Sequence, residues 1–200
     1  NLAALANERD LILAPAHNFL FARSTRRARE IIDSGKAGEL RSAAGVQLSS
    51  WRRRLPDWFD RLPGGLFFDE SPHLIYLMRE FLGELDVESA WTSSAGSDTS
   101  NPFEHTVAGL RGERADGLLT VWSGAPFSEW YLALICTNSV LVIDLFRDTL
   151  MELPAERGHN MRDVIGISLS GTLQHWAGTI GSGARILTGR GSYGHNRLIE

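Results

Sequence analysis

Leu62-Pro63-Gly64-Gly65-Leu66-Phe67-Phe68-Asp69-Glu70-Ser71-Pro72-His73-Leu74-Ile75-Tyr76-Leu77-Met78-Arg79-Glu80-Phe81-Leu82-Gly83 is the stretch around which the chain is organised. Gly64 and Gly65 permit backbone angles and close approaches that a side chain would block. Ser71 has the chemistry of an N-cap, and Pro72 suits a first helical position, where no amide donor is needed. Leu74, Ile75, Leu77, Met78, Phe81 and Leu82 recur at helical spacing and form an apolar face. Gly83 supplies a stop. The pattern predicts a glycine turn that delivers Asp69 and His73 to the start of a buried helix.

That placement has chemical consequences. The positive end of a helix dipole biases a histidine towards its neutral form, which can take or give a proton at a substrate hydroxyl. Asp69, one turn earlier, could orient the imidazole or stabilise its charged form. The simpler reading is that Asp69 caps the helix and His73 is a satisfied, partly buried side chain. A metal centre is disfavoured, because no third ligand stands at recognisable spacing.

The order Gly-Gly-x-x-x-Asp-x-x-x-His before an apolar helix resembles the signature of the Gfo/Idh/MocA family of NAD(P)-dependent dehydrogenases. In that family a third glycine precedes D-x-G-x-H-x-x-D. Here Pro63 replaces the first glycine, Ser71 the glycine before the histidine, and Tyr76 the final aspartate, while Asp69 and His73 match. A second segment is similar to the family as well: His17-Asn18-Phe19-Leu20-Phe21, a helix, then Gly35-Lys36-Ala37-Gly38-Glu39-Leu40. Leu20 stands where the family often has arginine.

The resemblance implies an α+β fold, an open, mainly antiparallel sheet with helices packed on one face, of the dihydrodipicolinate-reductase-like C-terminal kind. It implies hydride transfer between NAD or NADP and a secondary alcohol or ketone of a sugar, inositol or related polyol. His73 and Asp69 would be the catalytic pair. The cofactor would be bound mainly by an N-terminal Rossmann domain, which would also carry the catalytic lysine of a Glu-Lys-Pro motif. Neither that motif nor a strand followed by G-x-G-x-x-G occurs among these residues. The chain begins inside a helical pattern and stops in another, as a piece of a longer protein would. Residues 1–10 read as the tail of a linking helix, and 11–200 as a substrate-binding and oligomerisation domain truncated at its C-terminus.

Composition agrees with a folded domain of this kind. The chain has 200 residues, 43% of them hydrophobic, enough for a substantial core. A net charge of −4 argues against a general nucleic-acid binder and leaves small molecules and proteins as partners. Cys136 is the single cysteine, in an apolar run with no basic residue nearby, and reads as a core residue. Its solitude is compatible with a reducing, cytoplasmic compartment. No apolar run reaches membrane-spanning length.

Along the chain, residues 11–21 read as a strand whose carboxyl end carries His17 and Asn18. Residues at such ends tend to face a ligand crevice, so both are substrate-binding candidates, although the simpler reading is that they only satisfy local backbone groups. Ser24 is the expected cap of a helix reaching about Asp33, with Arg26, Arg27 and Arg29 on a solvated face. Residues 40–51 alternate as a long strand, with Val46 and Leu48 on one side and Gln47 and Ser49 on the other. The following Trp51-Arg52-Arg53-Arg54-Leu55-Pro56-Asp57-Trp58 leads into the glycine turn. Flat tryptophan faces and forked arginine donors suit a carbohydrate-like or acidic substrate, which nominates Arg54 and Trp58. The same residues could instead pack and pair within a long loop.

Beyond the central helix, strands are expected at 87–94, 105–111, 117–123, 130–137, 139–145 and 149–153, with a hairpin turn at Thr137-Asn138, and together they predict an antiparallel meander. A last helix over 160–179 carries His175, read as a surface or core residue. A different class of function competes with the enzyme: a non-catalytic binding or dimerisation module on the same fold.

Overall fold

The computed structural model describes residues 1–50, 64–94, 103–156, 158 and 160–188. Helix α1 is Leu2–Glu8, capped by the Asn1 side chain, which accepts from Ala3 N–H at 3.0 Å. A 3-10 turn, Asn18–Phe21, leads into α2, Arg23–Asp33. Strand β1, Leu40–Ser50, precedes the long helix α3, Gly65–Leu82. Six strands follow: β2 (Leu85–Ser93), β3 (His105–Gly112), β4 (Asp116–Ala125), β5 (Glu129–Cys136), β6 (Ser139–Asp144) and β7 (Thr149–Pro154). Helix α4, Met161–Leu187, is capped by Asn160, whose side chain accepts from the N–H groups of Arg162 and Asp163.

The strands form one seven-stranded sheet in the order β2-β3-β4-β1-β5-β6-β7. Every pairing is antiparallel except that of β1 with β4. The expected meander is therefore split: β1, remote in sequence, enters between β4 and β5 and becomes the central strand. Its small residues explain why it fits under a helix. Met78 of α3 lies over Gly45 of β1 and Gly117 of β4, where a Cβ at Gly117 would come within 2.6 Å of the Met78 methyl carbon. Helices α2 and α3 cover one face of the sheet, and Leu74, Leu77, Met78, Leu82, Leu132, Leu134, Leu141 and Ile143 are sealed between the layers. Burial of each such side chain contributes about 1.5–3 kcal/mol. Cys136 lies in this core, and burial pushes its thiol pKa up, as expected of an inert side chain.

Three local expectations are corrected. Residues 11–17 form no strand; Ile12 stands 97% exposed, and the N–H groups of His17 and Asn18 turn back onto the carbonyls of Pro15 and Ala16. An apolar run becomes a strand only when a neighbouring edge accepts its ladder, and among the described residues none does. Ser24 does not cap α2, whose N-cap is Ala22 with no side-chain bond; Ser24 lies within the first turn and is bound by Asp148. Helix α3 begins at Gly65 rather than after Ser71, with Gly64 left-handed at φ 83°, so Pro72 falls inside the helix. The two glycines let the helix start early, and the apolar face of Leu66 and the residues beyond Pro72 buries it as one unit. Gly83, at φ 85°, ends it as expected.

Candidate active site

The early start of α3 changes the argument for His73. It lies in the third turn, beyond the reach of the helix dipole, which fades within the first. What holds it is a phenol. Tyr76 follows three positions later on the same face of α3, and its hydroxyl lies 3.1 Å from His73 Nδ1. The same hydroxyl accepts from Phe19 N–H at 3.1 Å and donates to Asn18 Oδ1 at 3.3 Å. The His17 ring stacks on the Tyr76 ring, with centroids 4.4 Å apart and planes 16° from parallel. Phe19 meets His73 edge-on at 5.3 Å.

Tyr76 is thus the junction of two segments almost sixty residues apart. It is 9% exposed, and its phenol pKa is pushed up to about 12 by burial, with the Phe19 N–H pulling weakly the other way. It remains a neutral phenol at physiological pH. Trp130, the second residue of β5, forms the floor: its ring centroid is 5.5 Å from His73, 5.8 Å from Phe19 and 5.3 Å from Phe146.

Of the residues nominated from the sequence, His17, Asn18 and His73 come together here. They do so through a tight turn, not through the end of a strand. Asp69 is half-buried one helical turn before His73 on the same face of α3. Arg54 and Trp58 lie outside the described residues. Tyr76 was visible only as a departure from a family pattern, although its i+3 spacing from His73 already makes the two neighbours on a helix. Trp130 gave no signal beyond membership of an apolar run.

A second polar group lies under the same helix. Gln47 of β1 sits opposite Trp130 of β5 in the ladder. Gln47 Nε2 reaches Glu70 Oε2 at 3.3 Å, and Ser49 Oγ also binds Glu70. All three are buried, with Glu70 only 2% exposed. The polar side of β1 therefore faces the helices, while Val46 and Leu48 lie on the open face. Beside it, Arg147 forks onto Glu129 and also pairs with Asp144 at 2.7 Å. These hydrogen bonds hold the Glu129 carboxyl below its usual pKa and raise that of the guanidinium. Among the described residues no cluster of three or more His, Cys, Asp and Glu is arranged to hold a metal ion.

The arrangement can exchange a proton at His73 and present aromatic faces beside it. An open, mostly antiparallel sheet with helices on one face defines an α+β domain. The chain belongs to the GFO/IDH/MocA family: the C-terminal domain model of that family matches residues 25–138, more than half its length. This is a family of oxidoreductase C-terminal domains.

Solved structures show the same fold. The chain is similar to levoglucosan dehydrogenase in complex with NADH and L-sorbose, at 18% identity and a TM-score of 0.65, over 78% of this chain and 48% of that one. It is similar to an NAD binding oxidoreductase from Klebsiella pneumoniae, at 17% identity and a TM-score of 0.64, over 80% and 48%. An oxidoreductase from Pseudomonas syringae aligns at 16% identity and a TM-score of 0.63, over 80% and 43%. The chain spans about half the length of these structures. No curated protein matches it.

Proposed function

We propose that these residues form the substrate side of an NAD(P)-dependent dehydrogenase acting on a secondary alcohol or ketone of a sugar, inositol or related polyol. The observation that carries this reading is the convergence of His17, Asn18 and His73 on the Tyr76 hydroxyl, over an aromatic floor. His73 takes the proton of the reacting hydroxyl, or returns it to the ketone. Asp69 positions the imidazole or shares the proton. His17 and Asn18 line the approach, and Arg54 and Trp58 are assigned to substrate binding by their chemistry alone. The binding of NADH and L-sorbose, or of NADH and levoglucosan, by a structural neighbour supports a sugar-like substrate.

The described residues do not themselves fit a dinucleotide. None forms a strand, glycine-rich turn and helix that could cradle a pyrophosphate, and Gly64 and Gly65 open a helix whose face is packed on the sheet. NAD or NADP belongs, in this reading, to a nucleotide-binding part outside these 200 residues, with residues 1–10 leading from it. The role assigned to this chain is confined to binding the alcohol and moving its proton.

The test is His73→Ala in the complete enzyme, assayed with NAD and NADP against a panel of sugars and polyols. Turnover is expected to fall by at least ~100-fold, the low end for a general acid–base group. Near-normal turnover would remove His73 from the chemistry.

One observation favours a second role beside the first. The sheet face opposite the helices carries Trp91, Leu118 and Trp122, each 47–56% exposed, with His105 lying between the two tryptophans at 5.2 and 4.8 Å. Such a face suits a sheet-to-sheet homo-oligomer. Trp122→Asp should shift the sedimentation of the oligomer to that of the monomer. An unchanged distribution would remove the sheet as the interface. A non-catalytic assembly module would keep this interface while lacking a Glu-Lys-Pro segment upstream of Asn1, which the coding DNA reveals.

A further inference from the structure

We propose that Asn18 and Tyr76 lock the neutral His73 ring as its Nδ1–H tautomer, so that Nε2 carries the lone pair for proton transfer and Tyr76 is a positioning residue. A phenol has one proton and two acceptor lone pairs. Phe19 N–H, a backbone donor, occupies one lone pair at 3.1 Å. The phenol's proton goes to Asn18 Oδ1 at 3.3 Å. The remaining contact, to His73 Nδ1 at 3.1 Å, is satisfied only if the ring nitrogen is the donor. A neutral imidazole with its proton on Nδ1 has its lone pair on Nε2.

The surroundings keep this chain of bonds in one direction. Asn18 is 4% exposed and Tyr76 9%, so water competes poorly for either group. His17 covers one face of the phenol, and Phe19 and Trp130 pack against the imidazole. The phenol stays protonated, because burial raises its pKa to about 12. Among the described residues, the nearby titratable groups include Asp69, one turn earlier on the same helix, and His17 across the phenol. A free imidazole prefers the Nε2–H form, so the cluster selects the less common tautomer. The consequence for function rests on the reading of His73 as the acid–base group; the tautomer itself does not.

Nitrogen-15 NMR of the histidine-labelled protein, recorded on the neutral ring, reads the tautomer directly. The wild-type His73 is expected to show a protonated Nδ1 and an unprotonated Nε2. Asn18→Leu removes the acceptor and frees the phenol's proton to turn onto Nδ1, so the ring should switch to Nε2–H. Asn18→Asp can only accept and should keep Nδ1–H. Tyr76→Phe should relax the ring towards Nε2–H. A wild-type ring protonated at Nε2 overturns the proposal, and so does an Nδ1–H tautomer that survives both Asn18→Leu and Tyr76→Phe. If the tautomer stands but His73→Ala leaves turnover intact, the acid–base role of His73 falls and the lock remains.

Discussion

The His17 imidazole lies flat on the Tyr76 ring at 4.4 Å, and this stacked cover is part of what removes the phenol from water. His17→Ala should therefore bring the Tyr76 pKa down from about 12 towards the ordinary 10.0. Ultraviolet titration of tyrosinate reads the change. The sign for stability follows. Between the unfolded pKa and the raised folded one, the unfolded chain loses a proton that the native state retains, so alkaline stability falls through this window. That loss should be shallower in His17→Ala. An unchanged titration in the variant would show that the helix and sheet, not His17, bury the phenol.

Asp148 fastens the start of α2 from the β6–β7 turn. Its Oδ1 accepts from both Ser24 N–H and Ser24 Oγ at 2.8 Å. It performs the task of an N-cap from more than a hundred residues away. Asp148→Ala is expected to destabilise the fold by about 1 kcal/mol, the usual worth of a cap. Asp148→Asn retains an acceptor and tolerates the left-handed φ of 48°, so it should lose less. Urea denaturation of the two variants separates the bond from the backbone.

The Glu129–Arg147 pair predicts an acid limb to stability. Hydrogen bonding to Arg147, the largest influence, holds the Glu129 pKa below its unfolded value of 4.5. The stabilisation is present above that value and is lost as pH falls through the lower folded pKa. Glu129→Gln should flatten the fall of stability as the pH drops below 4.5. Thermal melts across this range give the slope, and an equally steep fall in the variant would assign the acid limb to other carboxylates.

Two glycines flank the turn before β1 and separate strain from space. Gly35 and Gly38 have φ of 73° and 77°. A Cβ at Gly35 meets nothing within 4 Å, whereas one at Gly38 would strike the side chains of Thr137 and Asn138. Gly35→Ala should cost about 1 kcal/mol for its backbone alone, and Gly38→Ala distinctly more. Equal losses in denaturation would mean that the β5–β6 turn yields without penalty.

The strands of the second half and the glycine punctuation of α3 were legible because they rest on local rules. Alternation, hairpin residues at Thr137-Asn138 and a glycine at a helix end act over a few residues, and β3 to β7 lie within a residue or two of where the pattern puts them. The pairing of Asp69 with His73 on one helix face is likewise a matter of spacing. The start of α3 was misjudged because Pro72 is permitted in a helix interior when tertiary burial outweighs its lost bond. The supposed strand at 11–21 failed because a strand needs a partner that no local pattern specifies.

What the sequence determined by itself was the family and the α+β class. What only the tertiary structure decided was their meeting at Tyr76, the insertion of β1 between β4 and β5, and the burial of Glu70 with Gln47 and Ser49. Propensity and periodicity extend over one or two turns of chain. The placement of one phenolic proton depends on groups nearly sixty residues apart, and only the packed layers bring those within 3.3 Å of one another.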